Sequence, residues 1–134
     1  MPTAAGLDCE ITLLKAPFVE LQHWVVNSAG DPYWRFYWND RPGAVVRDVS
    51  GSRGFGNRDL LLIPQETPFE GRLRSPVWHF FPTFLLPAPY RIKRIFRFPV
   101  TPDLRRRLQR LTDASRPDYV RDPVVRSLAI RALI

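Results

Sequence analysis

Few side chains in this sequence have types and spacing suited to chemistry. Its two histidines, His23 and His79, fall on separate strand-like runs, with no His-x-His pair, and Cys9 is the single cysteine. That pattern matches no metal-ligand spacing and forbids an internal disulfide. A mononuclear site would have to borrow Glu66 or Glu70, and nothing in the spacing asks for it. Cys9 has no neighbouring base, and Ser50, Ser52 and Ser75 sit in turn-like stretches without a nucleophile elbow. The stretch "GSRGFG" (51–56) lacks the order of a phosphate loop and runs into a strand-like segment, so it reads as a hairpin connection. No catalytic residue, metal or cofactor is expected.

Charge narrows the partners. The net charge is +7, yet residues 1–90 carry −1 and residues 91–134 carry +8. A uniformly basic nucleic-acid binder would not divide this way. The cationic part includes Arg105, Arg106, Arg107 and Arg110. Three consecutive helical positions spread over about 200° of the circumference, so these arginines read as a solvated face around a leucine seam. No apolar run reaches the roughly 20 residues of a membrane helix, and the N-terminus lacks a signal-peptide core. One cysteine fits a reducing compartment, so a soluble, cytoplasmic protein without a membrane partner is expected.

The elements that must position any site are mostly strands. "ITLL" (11–14), "FVELQHWVVN" (18–27), "AVVRDV" (44–49), "LLLI" (60–63), "VWHFF" (77–81) and the loosely alternating "RIKRIFRF" (91–98) are short β-branched or aromatic runs bounded by turn residues. "SGSRGFGNRD" (50–59) reads as a connection and "QETPFEG" (65–71) as a turn. Strands of this length, with turns about every ten residues, predict a mainly β sandwich, jelly roll or small barrel. The period then changes. "TPDLRRRLQRLTDA" opens with Thr101 as N-cap, Pro102 at the first helical position and Asp103 in the first turn, with Leu104, Leu108 and Leu111 at helical spacing. A second helix is expected from Asp122, with Val125 and Leu128 on its apolar stripe. Two amphipathic helices on a β body suggest packing or dimerisation through Leu104, Leu108, Leu111, Val125 and Leu128. The chain ends at Ile134 inside a periodic pattern, and a longer natural polypeptide is expected.

One segment is unusual. In "YWRFYWNDRPG" (33–43) five of the first six residues are aromatic and the sixth is Arg35. Strand alternation puts Trp34, Phe36 and Trp38 on one face and Tyr33, Arg35 and Tyr37 on the other. Core packing explains one face. The other face would suit a small-molecule pocket, which is mostly aromatic with a few polar groups.

Together with "NRDLLLIPQETPF" and "HFFPTFLLP", the segment "YWRFYWNDRPGAVV" resembles the N-terminal sensor domain of AraC-type transcriptional regulators. Gly43, Asp59, Leu60, Leu61, Leu62, Ile63, Pro64, His79 and Phe84 sit where that pattern wants them, over roughly residues 10–100. Phe69 and Thr83 stand where the family often has histidines, which points to a sensor without metal. The resemblance implies a cupin-like jelly-roll barrel over 1–100, followed by two C-terminal α-helices in a linker and dimerisation segment over 101–134. It implies a small-molecule effector, a sugar or other metabolite, a homodimer, and DNA contact only through a helix-turn-helix domain absent from this chain. Alternation groups Trp34, Phe36, Trp38, Phe69, His79 and Phe81 as the ligand-binding lining, with Arg41 closing the mouth. A single β-bulge would bring in Arg35 and Tyr37 instead. The rival readings are a stand-alone cupin isomerase or lyase, using His79 with Glu66 or Glu70 as an acid–base pair, and a carbohydrate-binding jelly roll.

Overall fold

The computed structural model describes residues 11–87 and 93–115. The first strands are β1 (Thr12–Lys15), β2 (Phe18–Leu21), β3 (Val25–Ser28) and β4 (Trp34–Asn39). They are followed by β5 (Ala44–Asp48), β6 (Gly51–Phe55), β7 (Asp59–Ile63) and β8 (Phe69–Leu73). The last are β9 (Val77–Phe80), β10 (Thr83–Leu85) and β11 (Phe96–Pro99), and then comes helix α1 (Pro102–Ala114). The expected mainly β class is what is found, with one helix among the described residues.

All pairings are antiparallel and form two sheets. The larger runs β1-β10-β4-β7-β11, with β9 joined to β4 and β2 to β9. The smaller runs β3-β8-β5-β6. Along one edge of β4 the chain supplies β9 against Trp38 and Asn39, then β10 against Trp34 and Arg35. The break between β9 and β10 falls at Pro82, which has no N–H to donate. Its carbonyl still accepts from the Phe36 N–H at 3.1 Å.

Several elements depart from the reading of the sequence. The run 18–27 is two strands: β2 pairs with β9 in the larger sheet and β3 with β8 in the smaller. The glycine-rich stretch expected as a connection contains β6, hydrogen-bonded to β5 as an outer strand. On an exposed edge a strand needs no packed side chains, so glycine costs little there. Phe69–Gly71, expected as turn, begins β8, and β10 follows Pro82. The expected second helix, with Val125 and Leu128, lies outside the described residues.

Two apolar clusters divide the molecule. The first covers one face of the larger sheet and gathers Phe18, Trp34, Phe36, Trp38, Phe80 and Phe84 under Leu108 and Leu111 of α1. The second lies between the two sheets and includes Tyr37, Val46, Phe55, Leu61, Ile63 and Phe69. All six residues of β4 are buried, because both of its faces are covered.

Helix α1 forms as the sequence predicts. Thr101 Oγ1 accepts from the Leu104 N–H at 3.2 Å, Pro102 opens the first turn, and Asp103 pairs with Arg107 at 3.1 Å. Arg105, Arg106, Arg107 and Arg110 face solvent around the leucine seam. That seam corrects one expectation. Leu108 and Leu111 are buried within this chain and Leu104 packs against the same cluster, so they complete its core rather than offering a face to a second copy. Leu108→Ala is expected to cost about 2–5 kcal/mol, the range for a buried leucine truncated in a packed core. Urea unfolding should show that loss as a difference from the wild type that does not change with protein concentration, since the contact is within one chain.

Candidate functional site

Register decides which β4 side chains share a face with the histidine strand. Trp38 lies opposite Phe80, and Asn39 lies opposite His79. Residues directly opposite point to the same side of a sheet. His79 therefore goes with Asn39 and, by alternation, with Tyr37 and Arg35, into the space between the sheets. This separates the lining expected from the sequence. Phe69, His79 and Phe81 are between the sheets, while Trp34, Phe36 and Trp38 turn to the α1 side. No bulge in β4 is involved. A one-residue difference in pairing parity exchanges the two faces of a strand, and that parity is set by the partner strand. Arg41 is also elsewhere: it lies past the far end of β4, exposed, and pairs with Asp40 at 2.8 Å.

His79 is the polar centre of the between-sheet space. Its ring stacks on Phe81 at 4.9 Å and meets Tyr37 edge-on at 4.6 Å, with Trp24 at 5.3 Å. Trp24 reaches this position because Gly71 on β8 has no side chain: a Cβ there would lie 2.4 Å from the indole. His79 Nδ1 and Asn39 Oδ1 are 2.5 Å apart. Since a carbonyl oxygen can only accept, the ring proton sits on Nδ1. Burial pushes the imidazole from its usual 6.5 down to about 3. It is a neutral hydrogen-bonding group, not a base poised near neutrality.

Arg35 is the second polar group, which the sequence offered only as the bulge alternative and which the register of β4 places here without a bulge. Its side chain is 7% exposed and forms an ion pair with Asp31, which is 35% exposed. Three rings surround the guanidinium, Tyr33 at 4.8 Å, Phe69 at 4.9 Å and Tyr37 at 5.8 Å. Nη1 also reaches the Tyr37 hydroxyl at 3.4 Å. Burial works against this charge, but Tyr37, Asp31 and Tyr33 together hold it above its ordinary value. The Arg35 hydrogen bond, against the opposing effect of burial, holds the Asp31 carboxyl below the usual carboxylate range.

Asp31 is held in place by a tight corner. Its Oδ2 also accepts from Ser28 Oγ at 2.9 Å, and its carbonyl accepts from the Glu66 N–H at 2.7 Å. Gly30, at φ 129°, lets the two loops approach, since a Cβ there would lie 3.0 Å from the Glu66 backbone. Glu66 itself adopts φ 59°, a conformation costing a non-glycine residue about 1 kcal/mol or more.

The acid–base pair of the enzyme reading does not form. Glu66 and Glu70 are both exposed, and Glu70 pairs with Arg47 on the outer side of the smaller sheet. Among the described residues no three His, Cys, Asp or Glu side chains converge as a metal site. No helix among them is long and apolar enough to cross a membrane. A shallow groove of about 340 Å³, lined by Val25, Val45, Arg47, Glu70 and Arg72, lies on the solvent side of the smaller sheet, away from His79 and Arg35.

No family model matches the chain, and no curated protein matches it. Solved structures do. ToxT from Vibrio cholerae in its apo form aligns over 92% of this chain and 51% of its own, with a TM-score of 0.56 at 11% identity. ToxT from strain O395, bound to (E)-4-(8-methylnaphthalen-1-yl)but-3-enoic acid, aligns over 88% of this chain and 54% of its own, with a TM-score of 0.56 at 8% identity. A third ToxT crystal form gives a TM-score of 0.54 at 7% identity. The chain shares the fold of that part of ToxT and spans about half of its length.

The buried histidine makes a pH prediction. The folded protein keeps His79 neutral, while the unfolded chain takes up a proton below about 6.5. Stability therefore falls as the pH drops from about 6.5 towards 3, with a slope approaching about 1.4 kcal/mol per pH unit. Asp31 acts lower: its contribution is present above 3.8 and is lost as the pH falls through its depressed folded value. His79→Asn retains a donor at the Nδ1 position and cannot titrate. Urea midpoints between pH 6.5 and 4.5 should decline less steeply in this variant than in the wild type.

Proposed function

We propose that the chain is the effector-sensing part of an AraC-type transcriptional regulator acting in the cytoplasm. Residues 1–100 form a cupin-like jelly-roll barrel that takes a small molecule between its sheets. Residues 101–134 form a helical segment that links the barrel to a DNA-binding domain outside this chain and contributes to a homodimer. With Leu108 and Leu111 buried inward, Val125 and Leu128 are the remaining proposed dimer contacts. The chain performs no chemistry on its ligand.

The observation that carries this reading is the shared fold with ToxT, an AraC-family regulator, over nearly the whole of this chain. One of those neighbours holds a small organic acid with an aromatic body. The between-sheet face is compatible with such a role. It combines aromatic walls with two polar groups, Arg35, paired with Asp31, and His79, hydrogen-bonded to Asn39. Output follows from population shift. A ligand that prefers one arrangement of the loops or of the following helices biases how two DNA-binding domains are presented, by as much as its affinity differs between the two states.

Thermal unfolding against a panel of sugars, aromatic acids and aliphatic acids tests the proposal. A true effector at a hundred times its Kd should stabilise the chain by about 2.7 kcal/mol and be recovered unchanged. Conversion of a panel member to product would move the reading to an enzyme. No stabilisation by any member would remove the ligand-binding role.

A further inference from the structure

Arg35 is a cation placed between two sheets, where an apolar residue of similar size would serve packing at least as well. Its hydrogen-bonding capacity is only partly used. Asp31 meets it through one oxygen, Oδ2, at Nη2, and that same oxygen also accepts from Ser28 Oγ. Nε, which lies beside Nη2 on the side-on edge of the guanidinium, has no partner among the described residues. That edge is the one a carboxylate engages with both oxygens in two parallel bonds. A second buried polar group, Thr67 Oγ1, also lacks a partner and lies one residue beyond the Glu66 N–H that holds the Asp31 carbonyl. The site is therefore occupied by half of a carboxylate contact, supplied from within the chain.

We propose that Arg35 is the anion receptor of the effector site and that Asp31 is its internal stand-in, displaced when a ligand carboxylate takes both Nε and Nη2. This rests on the sensor reading above and specifies the ligand class: a carboxylic acid with an apolar body. The Tyr33, Tyr37 and Phe69 rings already packed on the guanidinium would receive that body. Asp31, the more exposed partner, faces the solvent side from which an acid would enter. Its departure would also break the bond from Ser28 Oγ, which connects occupancy of the site to the β3–β4 loop.

The test uses 4-(naphthalen-1-yl)butanoate and its primary amide, titrated calorimetrically into the wild type, Asp31→Asn, Arg35→Met and Arg35→Lys. The acid should bind the wild type at least about tenfold more tightly than the amide. Asp31→Asn keeps a neutral acceptor for Arg35 and removes the competing charge. It should tighten the acid about tenfold while leaving the amide unchanged. Arg35→Met should abolish the preference for the acid. Arg35→Lys keeps the charge but loses the side-on fork, and should lower the preference about tenfold if Met does not fold. Equal binding of acid and amide to the wild type, or acid affinity unchanged in Asp31→Asn, overturns the receptor assignment and leaves the sensor reading intact if any panel compound binds. If neither the probes nor any panel compound binds the wild type or Asp31→Asn, both readings fall.

Discussion

Strand β4 is covered on both faces, and the rest of the molecule is arranged around that constraint. Six consecutive buried residues leave it no solvent side, so each alternate side chain must find a different partner layer. Trp34, Phe36 and Trp38 need the α1 layer, and their combined ring surface is what Leu108 and Leu111 cover. Arg35, Tyr37 and Asn39 need the second sheet. Helix on one side and sheet on the other are both required before this segment can leave water, which ties the helix to the sheets energetically as well as by sequence.

The between-sheet face is polar where the helix-facing face is not. His79 Nδ1 donates to Asn39 Oδ1, and Arg35 takes a carboxylate and three rings. Buried polar groups are costly unless partnered, so these pairs fix one arrangement of β4 against β9 and against the 28–31 corner. The two groups differ in what they can do next. His79 is enclosed by rings and held neutral, which suits a fixed element of the wall. Arg35 keeps its charge, its partner is partly exposed, and its Nε has no partner among the described residues.

The basic character of the last third has a plain structural origin in the described part. The arginines of α1 occupy the positions the leucine seam leaves to solvent, and Asp103 tethers two of them. They lie on the outside of the helix that covers the aromatic face.

Local signals were legible directly from the residues. Thr101, Pro102 and the leucine spacing defined α1, because a cap and a 3.6-residue period depend only on neighbours in sequence. The strands of 44–48, 59–63 and 77–80 and the mainly β class followed from β-branched runs between turn residues. The exposed strand β6 escaped notice because an edge carries little apolar signal, and β2 and β3 were merged because the chain changes sheet without a glycine or proline to mark the change. The two faces of β4 were also legible, but not which of them would share the space between the sheets with His79. That choice depends on Asn39 rather than Trp38 lying opposite His79, forty residues away. Alternation is a property of one strand, whereas register is a relation between two, and only the folded sheets supply it.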